Sequence, residues 1–472
     1  MPKRFYVLAS FSVVTCANSW LWITFSPIEE GLEGLWGVSA EAINQLSTVF
    51  MISYIFLGFG GLYILEQVGL RRGLLYGAGL TCLGSAVRLA GGTHPSAWGF
   101  GVSYAGSLIA SLGQLFTLAV PPLLATSWFP ASERSLASNV GVVANQCGTA
   151  LGLGVTGILV DEANVKDDLW RYFLLQTAVT VIGLTMVWVV VEDFPEVAPS
   201  KAARVKSGSG GGEEEKWGRE GGGRGREESE RGEGEGEREV GKGGFWVYIE
   251  TVKHLLLKRD VRLLAIAYGL STGTFYSVAT FLSQLLDSWE ASESSTVGLF
   301  VVLIGLLGSL TGGYWLDRSR EYQHVTRSFY VFATLAMAFW AFVLATKANN
   351  RALVYLTASL AGFTLTANIG TGFEFVVELT FPVSESTTAG LLNVSAQAFG
   401  CVSIWVGEAL LDALGVDALN IMMLLLIGTA TLLVCFGVDN EEYLREKEES
   451  RGSVIGGSLL RRSGTIEREG LI

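Results

Sequence analysis

The chain has 472 residues, of which 50% are hydrophobic and only 17% are charged, with a formal net charge of −12 at pH 7. Short charged runs separate continuous apolar stretches of the length that a helix needs to cross a bilayer. This pattern excludes a soluble globular protein, and a transmembrane β-barrel is excluded because the apolar runs do not alternate with polar residues. We predict an all-α membrane protein with twelve spans, at residues 5–28, 44–65, 73–91, 97–120, 135–160, 169–191, 261–286, 296–316, 327–346, 352–379, 387–411 and 418–438.

The first predicted span contains Asn18 and Trp22, which lie four residues apart and therefore share a helix face. An amide inside a span needs other protein or a wet cavity around it. For Asn18 alone, a hydrogen bond to a neighbouring helix is the favoured interpretation. Trp22 lies too deep for the aromatic belt at the membrane surface, whereas Trp20, two residues away, is expected on the opposite face.

Two loops share one order of residues, a glycine followed by an acid and then arginine. The residues are Gly61, Glu66, Arg71 and Arg72 between spans two and three, and Gly313, Asp317 and Arg318 between spans eight and nine. The shared order predicts an internal repeat of two six-helix halves. It resembles the loop signature of the major facilitator superfamily, which implies that these charged residues form a gate that opens and closes with alternating access.

The region between spans six and seven, residues 193–244, consists mainly of glycine, glutamate and arginine. Such a composition predicts a disordered linker between an N-terminal half at residues 1–192 and a C-terminal half at residues 245–438. Its acids and bases nearly cancel, which argues against a nucleic-acid partner. Residues 245–258 predict a short interfacial helix, and residues 439–472 a charged tail. Since the bases of the short loops lie on one side, both termini and the linker are expected in the cytoplasm.

Further amides lie inside the spans predicted to face a central cavity, at Gln114, Asn145, Gln146 and Gln397. With Asn18 they make five amides, which together favour a binding site over interhelical hydrogen bonding alone. In span seven, Gly269, Gly273 and Tyr276 are expected to form a stripe in which the glycines leave space beside the ring. A cavity of aromatic rings and neutral amides has no fixed acid, but it can bind a cation through the ring faces.

Two acids, Glu374 and Glu378, fall inside span ten. They could relay protons, but for Glu378, near the cytoplasmic end, a gate contact with a basic loop residue is favoured. The five cysteines lie within spans without paired spacing and the three histidines lie outside the spans, so no metal site is predicted. There is also no phosphate loop or nucleophile elbow, so neither an enzyme nor a cofactor is expected.

Seven ordered blocks of the sequence resemble the feline leukaemia virus subgroup C receptor family of the major facilitator superfamily. They are NSWLWITFSPI, GVSAEAINQLSTVFMISYI, LEQVGLRRGLLYGAGLTCLGSAVR, SLGQLF, ATSWFPASERSLASNVGVVANQCGTALG, YGLSTGTFYSVATFLSQ and GFEFVVELTFPVSESTTAGLLNVSAQAFG. Members are described as carriers of choline and ethanolamine, and earlier as haem transporters. The resemblance implies Trp22 and Tyr276 as aromatic walls, with a polar lining of Gln114, Asn145, Gln146 and Gln397. The first block departs from the family's usual NAFQWIQYS.

These observations predict a carrier of choline or a related small amine such as ethanolamine, most simply a uniporter driven by the membrane potential. One alternative is haem or porphyrin transport, against which the absence of histidine from the spans argues. Another is a receptor or scaffold that no longer transports. The expected partners are a small-molecule substrate and the lipid bilayer. We expect a monomer in the plasma membrane, with an organellar membrane as the other possibility.

Overall fold

The computed structural model describes residues 3–160, 165–195, 244–286, 291–346 and 350–438. Within these ranges the chain is helical apart from turns and short connections. The predicted tail lies outside the described residues, and so does the predicted linker except for 193–195 and 244.

The N-terminal half contains seven described α-helices and a short 3-10 helix at Ser26–Ile28. The α-helices are α1 (Lys3–Ile23), α2 (Glu29–Trp36), α3 (Ala40–Gly91), α4 (Ala97–Gln114), α5 (Val120–Trp128), α6 (Arg134–Leu159) and α7 (Val165–Val190). Helix α3 contains two predicted spans, joined at Gly69, whose φ of 84° and ψ of 174° a residue with a side chain rarely adopts. A side chain there would also approach Asp193, which accepts a hydrogen bond from the Arg71 amide at 2.8 Å.

The C-terminal half contains eight described α-helices and a π-helical segment at Leu433–Gly437. The α-helices are α8 (Phe245–Leu257), α9 (Arg259–Thr280), α10 (Leu282–Leu285), α11 (Ala291–Ser319), α12 (Tyr322–Ala345), α13 (Arg351–Thr380), α14 (Glu385–Leu414) and α15 (Val416–Leu432).

The twelve predicted spans all coincide with helices, although two boundaries differ from expectation. Spans two and three run into one another through Gly69, and span four is interrupted at 115–119 before it continues to Trp128. Among the described residues, eight helices are long and apolar enough to cross a membrane, and the one at Glu41–Gly91 is long enough to do so twice. The sequence thus predicted the spans correctly but not the interruption.

The two halves pack against each other along two pairs of helices. Helix α6 of the first half packs on α11, and α3 packs on α14. Large apolar side chains remain exposed on the outside of the bundle, including Phe56, Phe342 and Phe436, which are 80%, 64% and 79% exposed. In a membrane protein, lipid tails cover this surface. Its exposure therefore does not carry the free-energy cost that exposed apolar surface has in water.

Helix α8 is amphipathic and follows the linker region. Tyr248, Val252 and Leu255 are buried against the bundle, while Trp246 and Leu257 are exposed. Its Tyr248 ring packs on Tyr63 of α3, so α8 contacts the first half although it leads into the second. This position places α8 beside the contact between α3 and α14.

Candidate substrate-binding site

A narrow cavity with a volume of about 40 Å³ lies between the two halves. Its lining comes from the interruption between α4 and α5 and from helices α1, α5, α6, α9, α13 and α14. The lining residues are Thr15, Leu118, Pro121, Gly141, Val142, Asn145, Gln146, Tyr268, Thr272, Tyr276, Ile369, Phe373 and Asn393. None of these thirteen described residues is an acid, a lysine, an arginine or a histidine. The cavity therefore attracts a cation only through dipoles and ring faces.

The second half supplies an aromatic wall to this cavity. Tyr268 and Phe373 are stacked with ring centroids 5.6 Å apart, and Tyr276 lies two helical turns beyond Tyr268 on α9. The Tyr276 ring rests on Gly400 of α14, where a Cβ atom would come within 2.6 Å of the ring. The small residue at position 400 thus fixes where the Tyr276 ring can lie.

Trp22 of the first half meets this wall from the opposite side. Its ring centroid lies 5.9 Å from that of Tyr276, with the planes inclined at 57°. Ser47 of α3 holds Trp22 through two hydrogen bonds, since the indole nitrogen donates to the Ser47 carbonyl at 3.1 Å and the Ser47 hydroxyl donates to the Trp22 carbonyl at 2.9 Å. Trp22 and Tyr276 thus form a contact between the halves with a fixed ring on one side.

The predicted amides occupy different positions around the cavity. Asn145 and Gln146 line it, and the Asn145 amide donates to the Thr15 hydroxyl at 3.2 Å. Gln397 lies outside the lining but beside the Tyr276 hydroxyl. Gln114 ends α4 and is also outside the lining; its side-chain oxygen is buried and makes no hydrogen bond within the described part of the chain.

The cavity also contains residues that the sequence reasoning did not select. Tyr268 and Thr272 lie eight and four residues before the predicted Tyr276 on α9, and Asn393 lies four residues before the predicted Gln397 on α14. Helical spacing from the two chosen residues would have identified these positions. The missing information was which face of each helix points into the cavity.

Two expectations about residues inside the spans concern the glycines of α9 and Asn18. The stripe on α9 was wrong in its detail: Gly269 and Gly273 leave no space, because Phe399 and Ser403 of α14 pack against them. Asn18, one of the five amides that favoured a binding site, instead connects helices, since its amide donates to the Thr81 hydroxyl at 2.9 Å and to the Ala110 carbonyl at 3.0 Å. Asn18 is buried in the first half and does not line the cavity.

The halves also touch at one end of the bundle, which we call the basic end because Arg71, Arg72, Arg318 and Arg320 lie there. The Asp317 carboxylate accepts hydrogen bonds from the backbone amides of Ser135 and Leu136 at 3.0 and 2.8 Å. These amides begin α6, whose dipole favours a negative charge at this position. Asp317 of the second half therefore caps a helix of the first.

The related contact on the other side of the basic end involves Glu66. Its carboxylate accepts a short hydrogen bond from the Thr387 hydroxyl in the first turn of α14. The Thr387 hydroxyl also lies 3.3 Å from the Tyr248 hydroxyl of α8. Burial, followed by the nearby Glu66 charge, raises the pKa of Tyr248, so this phenol is neutral at physiological pH. The acids of the two repeated loops thus make equivalent contacts with the opposite halves.

Between these two contacts, Asn139 of α6 is inserted into the second half. It is fully buried, and its side-chain oxygen accepts a hydrogen bond from Ser309 of α11 at 2.9 Å. Its amide donates to the Ser135 carbonyl one turn earlier at 2.8 Å. Gly313 and Gly370 face it, and a Cβ atom at Gly370 would overlap the Asn139 oxygen. The basic end closes only because both positions lack a side chain.

The remaining predicted gate residues are Arg71, Arg72, Arg318 and Glu378. The Arg71 guanidinium donates to the Trp188 carbonyl at 3.3 Å, within the first half, while Arg72 and Arg318 are exposed. Glu374 and Glu378 are fully buried in α13, and each interacts with neighbouring groups. Neither carboxylate lines the cavity, although Phe373, next to Glu374, does.

Two helical halves around an uncharged cavity, in contact at one end, define the architecture of a membrane transporter. The family model of the Major Facilitator Superfamily matches residues 8–404, and the chain belongs to this superfamily of multi-pass integral membrane proteins. It is therefore a transporter and not an enzyme.

Solved structures have the same fold. A double tryptophan mutant of XylE has a TM-score of 0.67 at 15% identity and covers 94% of this chain and 98% of its own. A bacterial homologue of ferroportin in an outward-facing state has a TM-score of 0.65 at 11% identity, with 93% and 100% covered.

Curated relatives narrow the family. The choline/ethanolamine transporter FLVCR2 of Homo sapiens is 31% identical over 92% of this chain and 77% of its own length. The Danio rerio choline/ethanolamine transporter flvcr2b is 32% identical, with 90% and 82% covered. An uncharacterized MFS-type transporter of Caenorhabditis elegans, C09D4.1, is 32% identical, with 95% and 71% covered. The chain belongs to the feline leukaemia virus subgroup C receptor family.

Proposed function

We propose that the chain carries choline, or the related amine ethanolamine, across the membrane by alternating access as a facilitative uniporter. The uncharged, partly aromatic cavity between the halves is the observation that supports this most directly. A quaternary ammonium group cannot donate hydrogen bonds, and proteins bind it through the faces of aromatic rings. The relatives named choline/ethanolamine transporters support the same substrate class.

In this proposal the cation binds against Trp22 and Tyr276, one ring from each half. The two rings contact each other in this conformation, with centroids 5.9 Å apart, and Trp22 lies outside the cavity lining. A cation that contacts both rings would therefore separate them where the halves meet. Asn145 and Gln146 supply polar lining for the substrate hydroxyl. In this proposal Gln114 and Gln397, which lie outside the lining in this conformation, complete the polar groups of the site. Substrate binding and the relative position of the halves are coupled in this way, as alternating access requires.

The basic end is the cytoplasmic end in this proposal, because short cytoplasmic loops have an excess of arginine and lysine. The gate there consists of Glu66, Arg71, Arg72, Asp317, Arg318 and Glu378. Closure of this end is supported by the hydrogen bonds of Asp317 to α6 and of Glu66 to Thr387. We place the carrier in the plasma membrane. We expect a monomer, because the two halves of one chain complete the cavity.

The direct test is uptake of labelled choline, ethanolamine and haem by proteoliposomes that contain the purified chain. We expect saturable uptake of choline and ethanolamine, with each competing against the other, and no protein-dependent uptake of haem. The cavity lining contains no histidine and no base that could pair with haem propionates. Haem uptake without choline uptake would establish the first alternative, and no uptake of any of the three would favour a receptor or scaffold.

The driving force provides a second prediction. Because the cavity residues are neutral, choline uptake should follow the membrane potential, which contributes about 2.3 kcal/mol per 100 mV for a single charge. About 60 mV should therefore change the accumulation ratio tenfold. Potassium diffusion potentials in proteoliposomes provide the measurement, and sodium or proton gradients imposed at constant potential are the control. Strict dependence on a pH gradient would contradict uniport and assign a coupling role to Glu374 or Glu378.

A further inference from the structure

The interruption between α4 and α5 leaves a backbone carbonyl without a helical partner. In a continuous helix the Leu118 carbonyl would accept the amide hydrogen of residue 122, but Pro122 has none. Around the interruption, Leu118 donates its own amide to the Gln114 carbonyl at 3.1 Å, and Val120 donates to Thr117 at 3.3 Å. The prolines at 121 and 122 thus leave the Leu118 carbonyl available to another donor.

The donor it finds comes from the opposite half of the protein. The side-chain amide of Asn393, which is only 4% exposed on α14, donates to the Leu118 carbonyl at 3.2 Å. Both Leu118 and Asn393 line the central cavity. A carbonyl dipole at the cavity wall is therefore occupied by a neutral amide that must move when the halves separate.

The two proposed substrates differ in how they can use this carbonyl. A primary ammonium group has three N–H donors, and its hydrogen bonds to an acceptor are charge-assisted and strong. A trimethylammonium group has no N–H donor and gains only from ring faces and from the general field. Unwound backbone in broken transmembrane helices coordinates cations in other carriers for the same physical reason.

We propose that the Leu118 carbonyl is the acceptor for a primary ammonium group, and that Asn393 competes for it and thereby sets the preference between ethanolamine and choline. This inference depends on the proposed amine transport. Asn393 is a specificity-determining residue that acts through Leu118, while the aromatic wall with Trp22 and Tyr276 serves both substrates.

The test compares Asn393→Ala with the parent in proteoliposomes, using ethanolamine, its N-methyl and N,N-dimethyl derivatives, and choline as competitors of labelled choline uptake. These probes have three, two, one and no N–H donors. Asn393→Ala frees the carbonyl, so we expect ethanolamine to bind about tenfold tighter relative to choline, with a smaller gain at each methylation. The readout is the ratio of the ethanolamine and choline affinities, because any change in the shape of the cavity acts on both substrates.

A second variant changes the acceptor side of the hydrogen bond between Asn393 and the Leu118 carbonyl. Pro122→Ala restores an amide hydrogen that can pair with the Leu118 carbonyl within the helix, so it should shift the preference toward choline. Pro121→Ala is the matched control, because the Thr117 carbonyl one turn earlier already accepts the Val120 amide. Because Pro121 itself lines the cavity, we expect a smaller shift in preference for Pro121→Ala than for Pro122→Ala.

The inference is overturned if Asn393→Ala and Pro122→Ala transport choline but keep the parent's preference across the methylation series. It is also overturned if Pro121→Ala shifts the preference as much as Pro122→Ala. Failure of the proposed function looks different, because then the parent chain itself transports neither amine. Measuring the ratio of two substrates in the same preparation removes the effect of any change in folded protein.

Discussion

Replacing Trp22 by alanine is expected to weaken choline binding more than tenfold. A desolvated cation over a ring face gains about 2 kcal/mol, and about 1.4 kcal/mol corresponds to a factor of ten in the dissociation constant. Phenylalanine keeps a ring face but loses the indole bond to the Ser47 carbonyl, so Trp22→Phe should lie between the parent and Trp22→Ala. Equilibrium binding of labelled choline to the purified variants measures the order directly.

The other ring should behave in the same way. Tyr276→Phe keeps the ring and is expected to be mild, while Tyr276→Ala is expected to be severe. Gly400→Ala tests the ring without changing any polar group, since its methyl would come within 2.6 Å of the Tyr276 ring and displace it. We expect Gly400→Ala to weaken choline binding as well.

The control for the Trp22 and Tyr276 variants should be a tryptophan that is not buried in the bundle. Trp20, on the other face of α1, donates to the Tyr172 hydroxyl at 2.6 Å and is buried, so its removal also costs packing energy. Trp405 on α14 is 58% exposed on the outside of the bundle and is the better control. If Trp22→Ala folds and binds choline as well as Trp405→Ala does, Trp22 is a packing residue and the aromatic cage is wrong.

Residue type alone predicted part of this site. Polar groups inside a span cost free energy, so they usually have a structural or functional role. That argument found Tyr276, Asn145 and Gln146, which line the cavity. It could not separate Asn18, which makes interhelical hydrogen bonds, from the amides at the cavity. The difference depends on how each helix is rotated about its own axis, and the packing of the neighbouring helices sets that rotation.

The fold was more accessible to sequence reasoning than the site, because span length and loop charge do not depend on rotation. The interruption of span four was missed, although Pro121 and Pro122 mark it: a proline inside a span breaks the hydrogen-bond ladder. Asn393 was missed for a different reason. Its role depends on a carbonyl of the other half, 275 residues away in the chain. Such a pair has no local signal.

The basic end gives the second large effect, because Gly370→Ala should prevent its closure. The added methyl would overlap the side-chain oxygen of Asn139, which the Ser309 hydroxyl and its own bond to Ser135 hold in place. Overpacking of this kind costs about 1 to 3 kcal/mol, and only the closed conformation contains the contact. The equilibrium should therefore shift about tenfold or more toward the state that is open at the basic end. Choline uptake from the opposite side should fall accordingly.

The second-site variant Asn139→Ala distinguishes this conformational effect from simple misfolding. It removes the atom that the Gly370→Ala methyl would overlap, so the double variant should recover most of the uptake that Gly370→Ala loses. Gly428→Ala on α15 is the control, since a methyl there meets no other atom within 4 Å.

The conformation of the basic end can be followed with Ser135→Cys. This position is buried while the Asp317 carboxylate accepts a hydrogen bond from its backbone amide. A thiol reagent applied from the basic end should label this cysteine faster in the Gly370→Ala background and at the parental rate once Asn139→Ala is added. If Gly370→Ala transports normally, or if Asn139→Ala restores neither uptake nor the labelling rate, Asn139 does not control closure of this end.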